Sequence, residues 1–233
     1  MNQTALTLAA AAAFCLLTGC TAAPPGAPSP TPPPAQGVIV PDEEKDAPTL
    51  LADHYLDVGA LPTVRIDVEP EYSFDGRTIR LEDSVDNQME LLTYGAYHAD
   101  ISGDYDPLLE VVNGVALRQS IESSQQQFEN GLRLQSCTIH DLHTLTAADL
   151  QDISEFYLNY LDEYIRSFGL YRYAVVQADV EFTYNDALAA QGPQLDPGRY
   201  TRYFLVANTR EQPQFMLYDV FWEDFMAEVP ESE

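Results

Sequence analysis

The sequence predicts an α+β protein, a folded head behind an apolar leader and a proline-rich tether. Three observations carry that expectation. Apolar residues recur at helical spacing from Asp83 to Glu129. Two-residue alternation dominates from Leu132 onward, interrupted by one long helical stretch. Helices and strands therefore fall in separate runs, without the regular βαβ rhythm of a parallel sheet.

The chain has 233 residues and a formal net charge of −26, from 37 acidic and 11 basic side chains. Lys45 is the sole lysine, and no basic cluster exists to release counterions from nucleic acid or anionic lipid. Nucleic acid is therefore not an expected partner, and the acidity reads as a solubilising surface. An apolar fraction of 45% is enough for a core. Of three cysteines, Cys15 lies in the leader and Cys20 at its end, which leaves Cys137 without a disulfide partner and suited to a buried apolar role.

Residues 5–17, ALTLAAAAAFCLL, form an apolar run of signal-peptide length, too short for a comfortable membrane span. Leu17-Thr18-Gly19-Cys20 follows and resembles the bacterial lipobox. The resemblance implies a lipoprotein signal peptide over 1–19, recognised by its peptidase through Leu17, Thr18 and Gly19. It also implies diacylglyceryl transfer to the Cys20 thiol and cleavage before Cys20. Two acyl chains on one residue suffice for stable anchoring. The expected localisation is the cell membrane, lipid-anchored on its extracytoplasmic side. Nine of the 16 prolines fall between Pro24 and Pro48. Residues 20–49 are thus expected to be a disordered tether, favouring polyproline II and reaching on the order of 80 Å.

The head is expected over 50–229 as a single α+β domain. Val64, Ile66 and Val68 alternate with polar neighbours, and Asp75-Gly76 is a turn signal, so a hairpin is predicted there. Val85, Met89, Leu92, Ala96 and Ala99 predict a first helix, capped by Asp83 or Ser84 and ended near Gly103. Pro107 suits the first turn of a second helix. A third is predicted from Val115 to Glu129, between Gly114 and Gly131. Residues 132–145 read as a strand. Thr146 to Asp149 resemble a capping box before a helix running to Phe168. A strand over 171–186 and a hairpin turning around Thr209 to Pro213 complete the order.

A first helix, the turn Ser102-Gly103-Asp104-Tyr105, a short second helix and long terminal strands resemble the NTF2-like (cystatin-like) cone of small bacterial lipoproteins, over about 81–226. The resemblance implies N-terminal helices packed on a curved antiparallel sheet, with a pocket between them.

Tyr94, Tyr97 and His98 on the first helix are the candidate pocket residues, with Asp100 beside them as a potential acid–base partner. Helical spacing puts Tyr94 and His98 on one face. His140 and His143 have a metal-like look, but three residues apart in a regular strand they point to opposite faces, so no metal site is expected. Asp104 and Asp106 are better suited to helix capping than to calcium. Gly-x-Ser-x-Gly, a glycine-rich phosphate loop and HExxH do not occur, and no cofactor is expected. The expected function is a non-enzymatic, membrane-anchored module binding a small molecule or an envelope partner. A cone-fold pocket enzyme of isomerase, dehydratase or hydrolase type, and a purely structural envelope module, are the alternatives.

Overall fold

The computed structural model describes residues 53–58, 64–193 and 195–226. The leader, Cys20 with its lipobox, and the proline-rich tether lie outside the described residues.

The architecture is α+β: one six-stranded mixed sheet with helices packed on it. Strands β1 (Glu71–Phe74) and β2 (Arg77–Leu81) form the predicted hairpin. Asp75 and Gly76 between them both adopt positive φ, 52° and 78°, as a twist-matched two-residue turn requires. Three helices follow: α1 (Gln88–Ser102), α2 (Asp106–Glu110) and α3 (Val115–Glu129). Strand β3 (Leu134–Thr144), helix α4 (Glu155–Phe168) and strand β4 (Leu170–Tyr184) come next. A short helix α5 (Asp186–Gln191), strand β5 (Gly198–Thr209) and strand β6 (Met216–Phe221) end the order.

The strands lie in the order β1-β2-β3-β4-β5-β6. Four neighbouring pairs are antiparallel, but β2 and β3 are parallel, with Ile79 opposite Cys137. That pair departs from the wholly antiparallel sheet expected from sequence. A parallel neighbour needs a crossover, and α1, α2 and α3 supply it. They cover one face of the sheet, against Ile79, Leu81, Cys137, Ile139, Val176, Ala178, Val180, Phe204 and Val206. Helix α4 covers the other face with Tyr157, Leu161 and Ile165, against Val175, Leu205, Ala207 and Phe225. From Tyr173 on, past a register shift at its start, the two-residue period of β4, like that of β5, assigns even positions to the first face and odd positions to the second.

Helix α1 starts later than its periodicity suggests. Asn87 is the cap, its side chain accepting from the Met89 and Glu90 amides, and Val85 instead bridges Ile66. Buried Glu90 accepts from the amides of Asp86 and Thr144, the Asn87 side chain and the Thr144 hydroxyl. These bonds tie the start of α1 to the end of β3. At α2, neither Asp104 nor Asp106 caps through its side chain, contrary to expectation. The long stretch after Thr146 divides into a 3-10 turn (Asp149–Asp152) and α4. The break falls where Ile153 bridges Met226 and the Ser154 amide donates to the Phe225 carbonyl at 2.9 Å, so pairing with the C-terminal segment outcompetes one continuous helix.

Candidate functional site

The C-terminal end of α1 builds the most unusual polar cluster. Gly103 ends the helix at φ 81°, its amide donating to the Ala99 carbonyl at 2.8 Å. A side chain is also excluded there on space, because a Cβ would lie 2.2 Å from the Phe128 ring. The resulting reversal returns Tyr105 to the helix it has just left, and the Tyr105 hydroxyl donates to Asp100 Oδ1 at 2.8 Å. Asp100 is 6% exposed and Tyr105 1%. Burial pushes the Asp100 carboxyl up to about 7, and the hydrogen bond from Tyr105 opposes that rise.

Tyr97, one turn earlier, faces the sheet, its ring 5.6 Å from that of Phe204. Its buried hydroxyl finds no hydrogen-bond partner among the described residues. Arg202 lies on the same face of β5 as Tyr200 and Phe204, opposite the small residue Ala178. It is 1% exposed. Its guanidinium stacks 3.8 Å from the Trp222 ring and 5.0 Å from the Tyr200 ring. One nitrogen, Nη1, donates to the Thr201 carbonyl at 2.8 Å, while Nε and Nη2 have no partner among the described residues. Burial lowers the Arg202 pKa, and Tyr97 is the strongest of the groups opposing that. Tyr184, whose hydroxyl is likewise buried and unpartnered, feels the charges of both Arg202 and Asp100.

The opposite face offers an instructive contrast. Asp219 is equally buried, at 1%, and burial raises its carboxyl to about 6. Yet it accepts from the Tyr160 hydroxyl at 2.8 Å and from the Val220 amide at 2.8 Å. Tyr218 accepts from Asn113 at 2.8 Å, and Tyr157 donates to Asp224 at 3.0 Å. Those groups satisfy one another, as buried polar groups in a finished core do. The Tyr97–Arg202 cluster keeps donors in hand, as Arg77 does through Nε and Nη1, but at Arg202 the free donors share one edge of the guanidinium, and this makes it the candidate site.

The residues expected from sequence are divided by the fold. Tyr94 and His98 are neighbours, rings 6.0 Å apart, and Tyr72 of β1 lies 4.5 Å from His98. Burial lowers the His98 pKa. His98 also borders a mainly apolar cleft of about 260 Å³ with Leu91, Leu92, Gly95, Pro107 and Leu108, between α1 and α2. Tyr97 points elsewhere, to the sheet at Phe204. Cys137 is buried at 1%, and burial raises its thiol pKa.

His140 and His143 are placed differently from the expectation of opposite faces. His140 lies by plain alternation on the face of Thr138 and Glu181, and a register shift between Ile139 and Asp141 adds a residue to β3 that brings His143, opposite Gln177, to the same face. There His140 pairs with Glu82 at 2.7 Å and Glu181 at 3.2 Å, and His143 pairs with Asp141 at 2.7 Å. Each imidazole is held by its own carboxylates, and among the described residues no group of three potential ligands forms a metal site.

Sequence reading named Tyr97 and Asp100 but missed Arg202. The available signal was an arginine on the same alternating set as Tyr200 and Phe204 in the apolar strand RYTRYFLVAN.

A comparison with protein-family models finds no match, and comparisons with curated proteins and with solved structures find none either.

Proposed function

We propose that this chain is a lipid-anchored extracytoplasmic binding protein whose α+β head holds a small molecule at the Arg202–Tyr97 cluster. The observation that carries the binding part is the buried guanidinium edge and phenol that the fold leaves without partners. Such groups cost on the order of 1–3 kcal/mol each when unsatisfied, so a fold that keeps several together has a use for them. The anchoring part rests on Leu17-Thr18-Gly19-Cys20 and the proline-rich segment behind it. The NTF2-like relationship over about 81–226 belongs to the same proposal. It draws on α1 and α2 joined through the Ser102–Tyr105 turn, and on the long strands that follow.

Incubating the full-length protein with a metabolite pool and identifying retained compounds by mass spectrometry tests the binding part. A reproducible ligand is expected, and repeated recovery of none overturns it. Cys20→Ala tests the anchor: acyl labelling and tight membrane association should both disappear. A variant still acylated and membrane-bound refutes the lipoprotein reading.

One observation favours an enzyme as the second reading. Asp100, with its carboxyl near 7 and Tyr105 in contact, matches what a general acid–base pair needs near neutral pH. Conversion of a retained compound, lost in Asp100→Asn, would select that reading, whereas unchanged recovery of the compound selects binding alone.

A further inference from the structure

We infer that the buried, unpartnered Nε/Nη2 edge of Arg202, on the sheet face that the Tyr97 ring meets at Phe204, is the receptor for the carboxylate of a small monocarboxylic acid. The inference rests on the binding reading above and names its ligand class. Nε and Nη2 share one edge of the guanidinium plane, and their parallel N–H groups match the two oxygens of a carboxylate. The same strand provides a worked case. Arg199, three residues earlier, holds Asp179 through that edge, Nε lying 2.8 Å from Oδ1 and Nη2 meeting Oδ2. At Arg202 the corresponding edge is buried and has no carboxylate among the described residues, while Nη1 is already committed to Thr201. Arg77, the other buried arginine, lacks this geometry. Its Nη2 faces Asp75 at 3.9 Å, and its unpartnered Nε and Nη1 lie on different edges.

The surroundings select within the class. Tyr200, Phe204 and Trp222 present aromatic walls around the guanidinium or beside Tyr97, suited to an apolar body. Glu223 contributes negative charge within electrostatic reach of Arg202, and Asp100 adds to it near Tyr97 only once its raised carboxyl ionises above about 7. A second negative charge on the ligand would add to that of Glu223, so a monoanion is preferred over a dianion. Trp222 is half-buried and stacked over Arg202, which makes it the covering group displaced on entry.

Trp222 is also the only tryptophan in the chain, so its fluorescence reports this one place. The full-length protein is titrated with acetate, butyrate and benzoate at constant ionic strength, with benzamide, succinate and chloride as comparisons. A saturable change is expected for a monocarboxylate, at least about tenfold weaker for benzamide and for succinate. Arg202→Lys should weaken binding about tenfold or more, because an ammonium cannot form the fork, and Tyr97→Phe should weaken it several-fold. Tyr97→Phe keeps the ring and decides the matter if Arg202→Lys does not fold by circular dichroism. No saturable response to any monocarboxylate overturns the inference. So does equal binding of benzamide, or binding unchanged in the folded variants. A retained metabolite that is not an acid overturns the carboxylate class while leaving the binding reading standing; no retained metabolite at all removes both.

Discussion

Replacing Asp100 with Asn should change how stability depends on pH, in a direction set by burial. The native carboxyl titrates at about 7, against an ordinary value of 3.8. A difference of about three pKa units corresponds to about 4 kcal/mol. The native state binds this proton more tightly than the unfolded chain. The contribution is therefore fully present below the unfolded pKa and is lost as pH rises through about 7. Asn is neutral throughout. Its carbonyl can accept from Tyr105 as the carboxylate does. Between pH 5 and pH 8, wild type should lose about 2–3 kcal/mol relative to Asp100→Asn. The assay is urea unfolding of both proteins across that range, starting at pH 5 so that a chain of net charge −26 stays well charged. Other titrating groups, Asp219 included, are common to both and largely cancel in the difference. A difference flat to within about 1 kcal/mol from pH 5 to pH 8 would refute the reasoning.

Three further outcomes follow from particular contacts. Gly114→Ala should destabilise by about 3 kcal/mol or more in urea unfolding, because its Cβ would lie 1.8 Å from the Tyr218 carbonyl oxygen, where α3 begins against β6. Tyr160→Phe should cost about 1–3 kcal/mol and raise the Asp219 pKa above its value of about 6, readable by NMR titration, because the lost hydroxyl is a donor to that carboxylate. The Cys137 thiol should resist a thiol reagent in the folded protein and react on unfolding, measured against Cys137→Ser, because the side chain is buried and its ionisation suppressed.

The elements most legible in sequence were those with local punctuation. Helix α3 runs over the predicted residues because Gly114 and Gly131 bracket a clear stripe. The β1–β2 hairpin turns at Asp75-Gly76 for an equally local reason. The parallel β2–β3 pair was not legible, because alternation specifies faces but not neighbours. The extra residue in β3 that brings His143 to the face of His140 escaped for a related reason: register depends on the partner strand. The break at Ile153 depends on a bridge to Met226, far along the chain. The candidate site was half visible. Tyr97 and Asp100 stood out within one helix, but Arg202 joins them only through the sheet, more than a hundred residues later.

The most direct test of the central claim is native mass spectrometry of the full-length wild-type protein beside folded Arg202→Lys and Tyr97→Phe, each after exposure to the same metabolite pool. The account predicts a discrete mass increment on wild type, released as a monocarboxylic acid and depleted in both variants. An increment retained equally by all three, or absent from wild type, would contradict it.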